Sequence, residues 1–210
     1  MIIAPSGDGT SVEIIRGPNI KPFPLNTALP DTLKGTVLIK LEDNITTDHI
    51  CPSYAKLLPF RSNVPHLADY CLEPCDPEFP ARARAQGGGI IVAGSNYGQG
   101  SSREHAALVP LELGIKAVIA KSFARIHMDN LINNGILPLV LKNPEDYGQI
   151  SPDDMLIIEK VREQVAAGSD IIVKNMTCDT VIHTKILLSD RQQHMILAGG
   201  LLNHIRQNTH

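Results

Sequence analysis

The sequence predicts a mixed α/β fold, and three observations predict it. Short apolar runs alternate with helix-like segments between Gly87 and Leu141. One further apolar run, Thr36-Val37-Leu38-Ile39-Lys40-Leu41, stands well before them, just after Gly35. Beyond Tyr147 the texture changes, and strand-like runs follow one another directly. Apolar strands alternating with helices imply parallel pairing under helical cover, and successive strands imply hairpin-like pairing, so the sheet is expected to be mixed.

The elements follow in order. Residues 1–33 are rich in Pro, Gly and Asn (Gly17-Pro18-Asn19, Lys21-Pro22-Phe23-Pro24) and read as an extended arm or interdomain linker. Residues 36–41 form the first strand. Residues 42–87 are mostly irregular, with several prolines and two short helix candidates; a long irregular stretch inside a domain is where function tends to sit. The next pieces are a strand at 90–93, a helix at 103–113, a strand at 117–120, a helix at 123–133 capped by Ser122, and a strand at 137–141. Strands at 155–158, 170–174 and 180–188 come next, then a terminal helix at 191–205 interrupted by Gly199-Gly200. There is no internal repeat, so residues 34–210 are read as one domain.

Composition excludes several classes. With 43% hydrophobic and 20% charged residues in 210, the chain can build one good core. The net charge of −3 and scattered basic residues argue against nucleic acid as a partner. No apolar run approaches membrane-spanning length, and the segment from Met1 to Ser6 lacks the pattern of a signal peptide. The four cysteines, Cys51, Cys71, Cys75 and Cys178, lack the spacing of a zinc or iron–sulfur site, so no metal is expected in this chain.

The run GSNYGQGSSREHAAL, residues 94–108, carries the chemistry. It joins a buried strand to a helix. A glycine-bearing turn there gathers backbone N–H groups, and the first helical turn adds unpaired donors and partial positive charge. Ser101 and Ser102 add hydroxyls, and Arg103 can grip a carboxylate or phosphate with two parallel hydrogen bonds. Ser101 or Ser102 is expected to cap the helix as well, but capping does not need Gly94, Gly98 and Gly100 with Arg103 beside them. The segment lacks the Gly-Lys-Ser/Thr ending of a P-loop and the glycine spacing of a dinucleotide fold. An anionic ligand is expected.

This segment resembles the serine–arginine loop of the aconitase superfamily, in its C-terminal swivel domain. Leu41-Glu42-Asp43-Asn44-Ile45-Thr46-Thr47-Asp48-His49-Ile50 resembles the family's TTDHI segment. Phe60-Arg61 resembles its aromatic–arginine pair, and Lys121-Ser122-Phe123-Ala124-Arg125-Ile126-His127 its KSFARIH segment. Asn134-Gly135-Ile136-Leu137-Pro138-Leu139 follows in the same order. The resemblance runs from about Val12 to the C-terminus and implies the swivelling β/β/α architecture.

The resemblance also implies a function: dehydration and rehydration that isomerises citrate to isocitrate. Ser101 would be the proton-abstracting base, and Asp48 would orient the loop or an arginine. Arg61 and Arg103 would clamp carboxylates with Ser102 beside them, and Gly98 and Gly100 would shape the anion loop. His49, Arg125 and His127 are read as structural. The family's [4Fe–4S] cluster is held by cysteines of other domains, so this chain is expected to carry none. It should be inactive alone, needing cluster-binding N-terminal domains or a large subunit as partner. A cytoplasmic location, or the mitochondrial matrix in a eukaryote, is the matching expectation.

The small subunits of isopropylmalate isomerase and homoaconitase are the alternative within the superfamily. TTDHI and the long arm favour aconitate hydratase, since the small subunits more often read DTDQI where this chain has Thr47-Asp48-His49-Ile50. A non-catalytic anion- or RNA-binding module is a third reading, to which the absence of a basic stripe lends no support.

Overall fold

In the computed structural model, which describes residues 4, 7–10, 12–168 and 170–208, the strands are β1 (Leu33–Leu41), β2 (Gly89–Ala93), β3 (Ile115–Ala120), β4 (Leu137–Leu141), β5 (Met155–Ile158), β6 (Asp170–Asn175) and β7 (Thr180–Lys185). They pair in the order β1-β2-β3-β4-β7-β6-β5, and β5 returns to β1, so the sheet closes into a barrel. β1 to β4 are parallel, while the β4–β7, β7–β6, β6–β5 and β5–β1 pairs are antiparallel. The expected mixed sheet is thus found.

Burial explains the two halves. β2 is buried at every position. Ile90 and Val92 belong to one core cluster, Ile91 and Ala93 to the other, so both faces of the strand are covered. β6 alternates instead: Ile171, Val173 and Asn175 are buried and their neighbours exposed, as in a strand with one wet face.

The helices are α1 (Thr47–Ile50), α2 (Val64–Ala68), α3 (Phe79–Gln86), α4 (His105–Glu112), α5 (Arg125–Asn133), α6 (Val161–Ala166), α7 (Asp190–Ala198) and α8 (Leu201–Asn208). α4 and α5 connect parallel neighbours, β2 to β3 and β3 to β4. Between α7 and α8 the chain breaks at Gly199, in the left-handed region at φ 83°, where the sequence places the interruption.

Several expectations need correction. α4 begins at His105 with Glu104 at the N-cap and no side-chain cap bond, so neither Ser101 nor Ser102 caps it. Ser122 does not cap α5 either; Ala124 holds that position, while the Ser122 hydroxyl accepts from the Asn96 amide at 2.8 Å. The third strand of the second half stops at Lys185 instead of reaching Leu188. Residues 42–87 hold α1, α2, α3 and a 3₁₀ segment, Ala55–Phe60, more helix than expected. α6 is an addition to the expected elements; its apolar signal is no more than the pair Val161 and Val165, four apart and both buried.

The N-terminal arm is partly built into the fold. Its residues 1–3, 5, 6 and 11 lie outside the described residues, as does most of the stretch read for a signal peptide. Its end folds back on the last helices: the Leu29 amide donates to Leu197 O at 3.2 Å, and Asn203 Nδ2 donates to Asn26 O at 2.7 Å. Leu29 itself is buried in the core.

Candidate anion-binding site

Three neighbouring parallel strands end level with one another. Leu41 of β1 lies opposite Ala93 of β2, which lies opposite Ala120 of β3. The loops leaving these ends therefore emerge side by side, and the space outside the carboxyl ends of parallel strands is where α/β folds bind ligands.

The middle loop, 94–104, is fastened through its first half. The amides of Gly94, Ser95, Asn96, Tyr97 and Gly98 donate to Leu41 O, Asp43 Oδ1, Ser122 Oγ, Ser122 O and Ile45 O, at 2.6–3.0 Å. The Thr47 amide donates to Gln99 O at 2.9 Å, and its hydroxyl to Ser101 O at 3.0 Å. From Gly100 to Arg103 the backbone amides have no partner among the described residues. The hydroxyls of Ser101 and Ser102 are exposed and likewise unpartnered there. Free donors thus gather in the second half of the loop, away from the strand.

The two glycines at the bend have different reasons to be glycine. Gly98 has φ +81°, and a Cβ there would lie 2.1 Å from the ring of His127. Gly100 has φ +102° but open space, with Thr47 Oγ1 at 3.5 Å as the nearest atom. Backbone conformation constrains both; close approach constrains only Gly98.

α1 sets Asp48 against this loop. Thr46 and His49 form a capping box: the His49 amide donates to Thr46 Oγ1 and the Thr46 amide to His49 Nδ1, both at 3.1 Å. His49 is satisfied, as expected, and Asp48 in the first turn points to Arg103. Arg103 Nη1 lies 2.5 Å from Asp48 Oδ1 and also donates to Ser53 Oγ. The rest of the guanidinium has no partner among the described residues.

Arg61 follows the 3₁₀ segment and lines, with Arg103, Cys51, Ser53 and His105, a crevice of about 10 Å³. His105 Nε2 lies 2.8 Å from Arg61 O. The structure thus brings Asp48, Arg61, Ser101, Ser102, Arg103, Gly98 and Gly100 into one region. In the crevice wall, burial pushes the Cys51 thiol up to about 11 although Arg103 and Arg61 oppose the shift.

His127, structural on its sequence, has an unusual environment. It is 2% exposed, and neither ring nitrogen has a partner among the described residues. Burial lowers its pKa to about 4, so it is neutral. Its ring sits edge-on to Tyr97 at 5.2 Å, whose hydroxyl is also buried without a partner. Nothing in the local sequence marks such a histidine.

Among the described residues no group of three or more His, Cys, Asp or Glu is placed to hold a metal ion. Cys71 is buried while Cys75 is exposed. These side chains do not fit an iron–sulfur cluster. No helix among the described residues is long and apolar enough to cross a membrane.

A mixed α/β barrel that gathers open amides, two open hydroxyls and a half-free arginine on one loop has the donor set that an anion requires. The aconitase C-terminal domain family profile matches residues 76–144. The chain is 38% identical over 169 residues to the 3-isopropylmalate dehydratase small subunit 2 of Archaeoglobus fulgidus, covering 80% of this chain and 92% of that one. The chain belongs to the aconitase C-terminal domain family. It is also 35% identical over 202 residues to a probable mitochondrial aconitate hydratase of Dictyostelium discoideum, covering 84% of this chain but 26% of that protein. The chain therefore spans about a quarter of the aconitate hydratases it matches and nearly all of the small subunits. A solved structure of 3-isopropylmalate dehydratase from Methanocaldococcus jannaschii superposes with a TM-score of 0.70 at 32% identity, covering 84% of this chain and 95% of that one. The fold is that of the dehydratase small subunit.

Proposed function

We propose that this chain is the C-terminal swivel domain of an aconitate hydratase-type hydro-lyase that isomerises citrate to isocitrate. Residues 34–210 form the body of the domain, and the 1–33 arm, whose end from Asn26 packs onto that body, leads to the rest of the enzyme. The partner is a cluster-binding domain set or large subunit. The cysteines of this chain do not fit the cluster, so the chain's own part is to hold carboxylates and to move one proton. The cytoplasm, or the matrix in a eukaryote, is the proposed location; mitochondrial proteins stand among the relatives.

One observation carries the reading: Arg103 is held through Nη1 by Asp48 and Ser53, while its other N–H groups, the Ser101 and Ser102 hydroxyls and four successive amides have no partner among the described residues. Arg103 takes one substrate carboxylate, Arg61 a second, and Ser102 donates a further hydrogen bond. Ser101 Oγ then removes the proton from the carbon beside a carboxylate and returns it when water re-adds. A serine hydroxyl is a very weak acid, and its anion is reachable only where amides and positive charge are already arranged around it. The open amides of residues 100–103 and the Arg103 guanidinium are that arrangement.

A second reading, the small subunit of an isopropylmalate isomerase or homoaconitase, is favoured by the near-complete coverage of such subunits. One experiment separates the two. The chain is assembled anaerobically with a cluster-bearing aconitase-type partner, and turnover of citrate, 3-isopropylmalate and homocitrate is followed. Citrate turnover abolished by Ser101→Ala supports the first reading, and preference for 3-isopropylmalate or homocitrate the second. Turnover of none of the three, or full turnover with Ser101→Ala, overturns both.

A further inference from the structure

We infer that Arg125 and the N-terminus of α5 form a second anion subsite, which takes another carboxylate of the substrate gripped by Arg103. The inference rests on the proposed hydro-lyase reading and adds a residue to it. A cleft of about 200 Å³ separates the serine loop from α5. Ser101, Ser102 and Arg103 line one wall; Arg125, His127 and Asn130 line the other.

Two independent features mark the α5 wall as a place for an anion. Arg125 is the first residue of a nine-residue helix, and its N-cap, Ala124, supplies no side-chain acceptor. Its guanidinium is exposed and makes no hydrogen bond or ion pair among the described residues. A cation and uncapped amides at a helix start converge on the same point. The second feature is His127, the third residue of the helix. It is buried in the cleft wall with both ring nitrogens unpartnered. A neutral imidazole has one N–H to give, and a buried donor left without an acceptor is costly. His127 thus leaves an unmet donor, among the described residues, at the edge of the cleft. Arg103 and Arg125 on facing walls then suit a molecule with carboxylates at both ends.

The test uses citrate as the probe. Citrate is titrated into the ¹⁵N-labelled chain, wild type and Arg125→Gln, while backbone amides are followed. The expected result is movement of residues 101–103 and 125–128 together, with affinity about tenfold weaker in Arg125→Gln, as for loss of a charge-assisted pair. Shifts at 101–103 with none at 125–128, or equal affinity for the variant, overturn the inference. In the assembled enzyme Arg125→Gln should raise KM about tenfold with kcat within about twofold, and Arg125→Lys should recover part of the loss. An unchanged KM with weakened assembly would assign the carboxylate to the partner protein and overturn the substrate assignment. Citrate bound at both walls without turnover of any hydroxycarboxylate would leave the subsite standing and remove the catalytic reading.

Discussion

Asp48 and Arg103 are 55 residues apart in sequence and 2.5 Å apart in space, joined through a single guanidinium nitrogen. Asp48 is 54% exposed, so the pair adds at most about 1 kcal/mol to stability. Its consequence is orientation: one edge of Arg103 is occupied and the other is turned outward. Asp48→Asn should therefore leave the melting temperature within about 2 °C while lowering kcat/KM of the assembled enzyme about ten- to a hundredfold. A parallel fall in thermal stability and activity would make the pair structural.

Ser101→Ala and Arg103→Lys should separate kinetically. As the proposed proton acceptor, Ser101 would act in the transition state, so kcat should fall by about three orders of magnitude or more with KM nearly unchanged. Arg103→Lys should damage both, since Lys cannot reproduce the two-pronged grip. Because Glu104 rather than a serine occupies the N-cap of α4, Ser101→Ala should not lower the melting temperature. Steady-state kinetics beside thermal melts check both.

Gly98→Ala should be far more harmful than Gly100→Ala. Both place a side chain at positive φ, costing about 1 kcal/mol. Only at Gly98 does the new methyl strike a ring, that of His127 at 2.1 Å. A total of about 3 kcal/mol or more is expected there, read from urea unfolding midpoints.

His127 should make stability fall with acid. Its pKa is about 4 in the fold against 6.5 for the free group. Above pH 6.5 neither state binds the proton; below it the unfolded chain does and the folded chain does not, so stability is lost as the pH falls toward 4. The full loss is about 3 kcal/mol, of which about 2 kcal/mol should be gone at pH 5. His127→Gln should show a correspondingly smaller drop between pH 7.5 and pH 5 in urea titrations. An equal drop would place the acid sensitivity elsewhere.

Thiol labelling should divide the cysteines in two. Cys75 and Cys178 are exposed and should react with a maleimide at pH 7.5, Cys75 more slowly because partial burial and Asp76 push its thiol up; Cys51 and Cys71 are buried out of reach, and burial pushes both thiols up. Mass spectrometry of the native protein should find two labels, and of the unfolded protein four.

The parallel half of the barrel is legible in the sequence because its strands carry dense apolar runs, interrupted only in β1 and β3, and the run at 137–141 coincides with β4. The helix starts are less legible. Ser101, Ser102 and Ser122 have the chemistry of caps, but each lies two or three residues too early: α4 starts only at His105, and the Ser122 hydroxyl is engaged by the Asn96 amide. The Asp48–Arg103 relation is reachable only through family resemblance, since no local period links residues 55 apart. The unpartnered state of His127 and the position of Arg125 opposite Arg103 depend on how α5 packs beneath the serine loop, which local sequence does not encode.

The closure of β5 onto β1 has a consequence for assembly. Among the described residues every strand of the ring has a strand neighbour on each side, so no strand is left as a full open edge for strand addition, although β4 and β7 pair at only two positions. Whatever meets this domain must do so through side chains and loop tips. Such a unit works equally well tethered by a peptide bond or docked as a separate molecule, because neither arrangement requires a hydrogen bond of the sheet to be remade. Matches to about a quarter of one relative and nearly the whole of another are in keeping with a fold in which every strand already has two strand neighbours.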